Sequence, residues 1–323
     1  SDIGKITIDT LQRLDIPYDE LHFGKPYAHF YIDDHAISSY AKLEKEIGHY
    51  TIDIEPRHFN KINRIKDVYI KESNDLSGEI YYYTHIPSQI KHMFPKILEY
   101  DINHHWISME MIRGIPFSKL YIAELLTSNN LISLMNCLSV IHDICCTNYD
   151  DFNDINIYDN YIPKLTSRYN MYDYSLYNES EKIFNELCQS FNNYTSEQRG
   201  KKTIIHGDPV FTNLFLTKND GIKFIDMRGK VGIKNTIYGD CMYDWGKIYQ
   251  SLIGYDEILN DMYIDSKYKN SLIDTFKIFV VNKLGQTAMN DIKLITRSLI
   301  FSLIPLHNND KCVKYYDLLD SKY

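Results

Sequence analysis

A chain of 323 residues that is 44% hydrophobic and 24% charged can bury a sizeable core, which excludes a disordered, collagen-like or disulfide-stapled polypeptide. Its 35 Lys and Arg against 43 Asp and Glu give a net charge of −8. It therefore lacks the broad basic field selected by nucleic-acid backbones or anionic membranes, and a small molecule is the expected partner. The longest apolar stretches, residues 131–146 and 299–306, fall short of the roughly 18 to 20 residues of a spanning helix. With no apolar leader in Ser1-Asp2-Ile3-Gly4-Lys5, a soluble, cytoplasmic protein is expected, and a homo-oligomer is compatible with the composition. Cys137, Cys145, Cys146, Cys188, Cys241 and Cys312 lack paired C-x-x-C spacing and read as free thiols.

In chain order, Ile3, Ile6, Thr7, Thr10, Leu11 and Leu14 predict a helix over residues 2–14 with Asp2 as its N-cap. Residues 21–24 and 29–32 read as short strands around Lys25-Pro26, followed by a helix over 36–47. Residues 66–72 alternate like a strand, 78–90 look helical, and 95–100 and 106–111 are two further strands. From Phe117 the period becomes helical, with Leu131, Leu134, Met135, Leu138, Ile141 and His142 on one face. Residues 147–177, rich in Asn, Asp and Tyr, predict an irregular excursion, and helices are expected over 272–281 and 294–303. The reading is an α+β chain in three parts: an α/β segment at 1–50, a small β-rich lobe at 51–115 and a larger helical lobe at 116–323.

The chemistry concentrates in Ile204-Ile205-His206-Gly207-Asp208-Pro209-Val210-Phe211-Thr212-Asn213-Leu214-Phe215-Leu216 and Ile222-Lys223-Phe224-Ile225-Asp226-Met227-Arg228-Gly229. Apolar strands flank a tight loop and carry Asp208, Asn213 and Asp226. Phosphoryl transfer needs such a set: a carboxylate to orient and deprotonate the attacking hydroxyl, and hard oxygen ligands for Mg²⁺. A carboxamide beside a carboxylate binds Mg²⁺ with less repulsion of a polyphosphate than two carboxylates would exert.

The D-x4-N spacing, with 12 residues between Asn213 and Asp226, resembles the catalytic and metal loops of the protein-kinase-like fold. Its His-Gly-Asp form resembles the aminoglycoside phosphotransferase and choline kinase group. The resemblance implies a two-lobed fold and an ATP- and Mg²⁺-dependent kinase for an alcohol group, with Asp208 as catalytic base. It further implies Asn213 and Asp226 as metal ligands and His206 with Gly207 as shapers of the catalytic loop. Asp244, in Gly239-Asp240-Cys241-Met242-Tyr243-Asp244-Trp245-Gly246-Lys247-Ile248, resembles the Asp that caps the following helix and supports the loop; a simple N-cap is the plainer reading. Val68-Tyr69-Ile70-Lys71 resembles the strand whose Lys reaches the phosphates, with Glu79 as its partner. Met109 to Arg113, including Glu110 and Met111, resembles the hinge that meets the adenine edge through backbone groups; ordinary strand-end packing is the alternative reading. His142 reads as a satisfied core histidine. The segment before Lys71 lacks a glycine cradle, which leaves Arg57, His58, Asn60, Lys61 or Asn63 to cover the phosphates.

Ile16 to Pro26 and Phe30-Tyr31-Ile32-Asp33-Asp34 resemble the closing part of a haloacid dehalogenase-like phosphatase, with Lys25, Asp33 and Asp34 in its charge-binding positions. No D-x-D precedes them, so the nucleophile is missing and the chain is expected to start inside a two-domain fusion. That arrangement and the I-D-x-R-G form of the metal strand resemble proteins of capsule and surface-polysaccharide biosynthesis, which implies a sugar, sugar derivative or amino alcohol as acceptor. Tyr158, Asp159, Tyr161, Tyr169 and Tyr172 either offer carboxylate and ring faces to a cationic substrate or lie on the surface. The competing classes are a catalytically weak nucleotide-binding or scaffolding module, and a phosphatase completed by an upstream D-x-D.

Overall fold

The computed structural model describes residues 3–23, 60–65, 67–144, 152–218, 221–307 and 309–320. The chain forms two compact units, Ser1–Thr51 and Ile52–Tyr323. In the first, helix α1 (Ile3–Arg13) ends where Ile16 N–H turns back to the Leu11 carbonyl, and residues 21–23 are irregular rather than a strand. Asp2, Lys25, Asp33, Asp34, Arg57, His58, the 29–32 strand and the 36–47 helix lie outside the described residues, as do the side chains of Asn60 and Lys61.

The second unit has two lobes. Its smaller lobe is an antiparallel sheet of β1 (Asn60–Ile65), β2 (Val68–Ser73), β3 (Ile97–Tyr100) and β4 (Trp106–Glu110), ordered β1-β2-β4-β3. Lys71 sits opposite Ile62 and Ile107. Register shifts between Ile97 and Glu99, where the Ser108 hydroxyl both accepts from Glu99 N–H and donates to its carbonyl. Helix α2 (Ser77–His85) packs beside the sheet. It stops short of the predicted residue 90 because Ile86 precedes Pro87, and a residue before proline is pushed out of the helical region.

The larger lobe opens with β5 (Gly114–Pro116), α3 (Phe117–Ile122) and α4 (Ser128–Asp143). A capping box between Thr127 and Asn130 starts α4, and its predicted face from Leu131 to His142 is buried. The expected irregular excursion is corrected: it contains a 3₁₀ turn, Ile157–Asn160, and helix α5 (Ile162–Asn170), which Pro163 helps start. Helix α6 (Ser180–Ser196) then leads to β6 (Lys202–Ile204), β7 (Leu214–Thr217) and β8 (Ile222–Phe224). Strands β5, β7 and β8 form one small sheet. A hairpin of β9 (Lys230–Val231) and β10 (Lys234–Asn235) follows, then β11 (Tyr238–Asp240), which pairs with β6.

The centre of this lobe is α7 (Cys241–Gln250). Of its ten residues all but Lys247 are buried, so it is a core helix packed on every side with one polar outlet. A π turn, Ser251–Tyr255, and α8 (Asp256–Leu259) continue it. Helices α9 (Ser266–Leu284), α10 (Ala288–Phe301), α11 (Ile304–His307) and α12 (Lys311–Asp317) complete the lobe. The two long predicted helices are therefore present and longer than their apolar stripes. No helix among the described residues is long and apolar enough to cross a membrane.

Candidate active site

Residues 205–213 form the loop from β6 to β7, and its geometry is imposed from α7. The wholly buried Asp244 carboxylate accepts His206 N–H at 2.8 Å, Gly207 N–H at 2.7 Å and His142 Nε2–H at 3.0 Å. Three donors on one buried carboxylate satisfy it without a cationic partner of fixed charge. Asp244 is thus not the helix cap: that position belongs to Asp240, which accepts Met242 N–H at 3.1 Å and Lys201 N–H at 3.0 Å. His142 is indeed a satisfied core histidine, and its partner is Asp244 itself. Gly207 has φ +85°, and a Cβ there would fall 2.6 Å from Arg228 Cβ, so both conformation and space demand glycine. Farther along, Phe211 N–H donates to Ser251 Oγ of the π turn at 3.0 Å.

These restraints bury the loop backbone and leave the Asp208 carboxylate partly open to solvent. Lys247, the polar outlet of α7, meets it at 2.9 Å. Burial disfavours the Lys247 charge, but Asp208 and Tyr243 outweigh this and raise its pKa. His206 is fully buried, and its Nδ1 accepts Asp208 N–H at 3.1 Å. Burial lowers its pKa against the pull of nearby carboxylates, so the ring is a neutral brace of the loop.

Asn213 donates from Nδ2 to the Asp208 carbonyl at 2.9 Å, and its own carbonyl accepts Ile225 N–H at 3.0 Å. That bond brings Asn213 alongside the segment carrying Asp226. Asp226 adopts φ +62°, a left-handed conformation that costs a non-glycine residue about 1 to 3 kcal/mol. Gly229, three residues on, has φ +58°, and its Cβ would fall 1.8 Å from the Gly78 carbonyl oxygen at the start of α2. This close approach ties the Asp226 segment to the smaller lobe.

Across that junction the Lys71 ammonium binds Glu79 at 2.6 Å and also binds Asp226. Burial works against its charge, but Glu79 and then Asp226 overcome this and hold its pKa above the ordinary lysine range. The structure therefore brings Lys71, Glu79, Asp226, Asn213 and Asp208 into one linked cluster. Glu110 and Met111 lie at the lobe connection, but their N–H groups are engaged, by the Lys96 carbonyl and the Asp67 carbonyl respectively, each at 2.9 Å. They hold the sheet edge instead of presenting these donors.

The tyrosine-rich stretch does not form a cage for a cation. Tyr161 is buried, stacks on Phe191 and donates to Asp240 at 2.6 Å, while Tyr169 stacks on Phe184. What α5 turns toward α7 is basic: Lys164 donates to the Tyr243 hydroxyl at 2.6 Å, and Arg228 donates to the same oxygen at 3.0 Å. Lys247 is legible in principle, lying one helical turn beyond Asp244. Lys164 and Arg168 become visible only with α5, which aligns them at i and i+4.

The fold recurs in solved structures of small-molecule kinases. A choline/ethanolamine kinase family protein from Mesorhizobium loti is 10% identical with a TM-score of 0.55, over 85% of this chain and 91% of that one. Aminoglycoside 2'-phosphotransferase-IIIa, solved as a GDP complex, is 14% identical with a TM-score of 0.53, over 86% and 95%. An ethanolamine kinase from Plasmodium vivax is 14% identical with a TM-score of 0.51, over 80% of each chain. No protein-family model matches the chain, and no curated protein matches its sequence. The fold class is therefore the two-lobed fold of these kinases, and at such identities the likeness concerns the fold alone.

Proposed function

We propose that this protein is an ATP- and Mg²⁺-dependent phosphotransferase acting on a hydroxyl of a small metabolite. The observation that carries the proposal is the cluster itself: a braced Asp208 beside Asn213 and Asp226, with the Lys71–Glu79 pair reaching Asp226 from the other lobe. A random polar turn has no reason to be restrained by Asp244, Ser251, Gly207 and Gly229 together. The nucleotide complexes among the structural neighbours, with ADP and with GDP, support a nucleotide as donor.

In this reading Asp208 accepts the proton of the acceptor hydroxyl as its oxygen bonds to the γ-phosphorus and the bond to the β-phosphate oxygen breaks, releasing nucleoside diphosphate. Lys247 orients Asp208 until the acceptor arrives. Lys71, positioned by Glu79, exchanges Asp226 for the nucleotide phosphates. The Asn213 carboxamide and Asp226 carboxylate are hard oxygen donors with one negative charge between them, which fits Mg²⁺ completed by phosphate and water. Held there, the ion would supply neutralisation of the charge on the transferring phosphate. His206, Asp244 and His142 hold the loop.

A place in surface-polysaccharide biosynthesis, and a phosphatase-like remnant without its own hydrolysis at residues 1–50, belong to the same proposal and rest on sequence resemblance. Calorimetry with MgADP and an ADP-release assay over an acceptor panel test the kinase reading. Wild type is expected to bind MgADP, and Asp208→Asn to keep that binding while losing roughly 10²- to 10⁴-fold in turnover. Metal-independent or absent nucleotide binding overturns the kinase reading, and undiminished turnover in the variant overturns the base assignment.

A further inference from the structure

A group of cations lies beside the loop that carries Asp208. Three basic side chains, Lys164 of α5, Arg228 and Lys247, lie around Tyr243, and Arg168 of α5 is near enough to feel the charge of Arg228 and Tyr243. Lys164 Nζ lies 5.1 Å from the Tyr243 ring centroid, the Arg228 guanidinium carbon 5.9 Å and Lys247 Nζ 6.0 Å, and the first two also donate to its hydroxyl. Arg168, one turn beyond Lys164, is half-buried. Among the described residues Lys247 alone of the four pairs with a carboxylate, and that carboxylate is the catalytic candidate Asp208. Among the described residues Lys164, Arg168 and Arg228 make no ion pair with an acid.

The cluster is continuous with the loop that carries Asp208. Arg228 N–H donates to the His206 carbonyl at 3.0 Å, two residues before Asp208, while Lys247 bonds Asp208 directly. Holding several cations half-buried beside one tyrosine is unfavourable unless a negative charge joins them. The mutual repulsion is visible in the groups themselves. Burial lowers the Lys164 pKa, and Arg228 and Lys247 push further against Tyr243, to about 8. Burial alone would raise the Tyr243 hydroxyl, yet Lys164, Arg228 and Lys247 bring it down to about 8.

We propose that the acceptor is an anionic alcohol, whose carboxylate or phosphate group docks between Lys164, Arg168 and Arg228 while its hydroxyl displaces Lys247 from Asp208. This rests on the kinase reading and narrows it: amines such as the choline and ethanolamine named for the structural neighbours would meet like charge here. In the kinase reading the nucleotide phosphates fall to Lys71 of the smaller lobe, which leaves the α5 cations for the acceptor.

The test uses the full chain loaded with MgATP and four acceptor arms: hydroxy acids (glycerate, gluconate), sugar phosphates (glucose 6-phosphate, glycerol 3-phosphate), neutral alcohols (glucose, glycerol) and amines (choline, ethanolamine). ADP release and product mass are read. Turnover in the hydroxy-acid arm, the sugar-phosphate arm or both is expected, and the responding arm identifies carboxylate or phosphate. Lys164→Gln and Arg168→Gln, each half-buried and free of structural ion pairs, are expected to raise acceptor KM about tenfold or more, with a much smaller change in MgADP Kd. The inference is overturned by turnover confined to the neutral or amine arms, by no response in either anionic arm, or by variants that weaken MgADP and acceptor equally. MgADP binding in wild type separates any of these results from failure of the kinase reading.

Discussion

Replacing Asp244 by Asn keeps shape and burial but removes one acceptor. In the native protein one carboxylate oxygen takes Gly207 N–H, and the other takes both His206 N–H and His142 Nε2–H. An asparagine offers one oxygen and one NH₂. If the oxygen faces His206, the amide hydrogens confront Gly207 N–H; if it faces Gly207, His206 N–H is orphaned and His142 must change tautomer to accept. Either orientation leaves one buried backbone donor unsatisfied, at about 1 to 3 kcal/mol, and the surviving bonds lose their charge-assisted character, at about 1 kcal/mol more. The expected loss is about 2 to 4 kcal/mol, which a domain of ordinary stability survives. Urea unfolding at neutral pH reads this loss, and faster amide exchange at Gly207 with lower kcat shows that the loop moved. An Asn variant within about 0.5 kcal/mol of wild type, with unchanged exchange at Gly207, would falsify the claim that Asp244 sets the loop. Asp244→Ala orphans all three donors and is expected to give little folded protein.

Lys71→Met leaves Glu79 a buried carboxylate without its cation, so stability is expected to fall by about 3 to 5 kcal/mol, with most of it recovered in Lys71→Met/Glu79→Gln. Equal stability of the single and double variants in urea contradicts the pairing. Gly229→Ala is expected to displace α2 and cost more than Gly221→Ala, whose positive φ carries strain of about 1 to 2 kcal/mol but whose Cβ meets open space; comparable unfolding midpoints for the two variants would remove the argument from close approach. Because both Tyr243 and Lys164 titrate near pH 8 when folded, the unfolded chain holds more protons between pH 8 and about 10, and stability should rise with pH in that window. Tyrosinate absorbance should begin near pH 8, and a Tyr243→Phe variant that keeps this early step refutes the assignment.

The cluster around Asp208 is legible in the amino-acid sequence because its parts are close in the chain: Asp208, Asn213 and Asp226 stand at a spacing set by one loop and one hairpin. Strand β2 and the buried face of α4 are legible for a similar reason, since alternation and helical period are local signals. Other features depend on which surfaces meet. The 147–177 stretch reads as irregular because its polar composition hides the rings that pack into the core, and only their burial makes α5 a platform for Lys164 and Arg168. That puts basic groups, not carboxylates and open ring faces, beside Tyr243. The cap of α7 passes from Asp244 to Asp240 because the whole helix is immersed, which turns Asp244 inward to His206, Gly207 and His142 and gives Lys247 an outlet at Asp208. Residue types and spacing set which groups are available for chemistry; packing contacts across long stretches of chain, a separation of 155 positions for Lys71 and Asp226, decide which of them face one another.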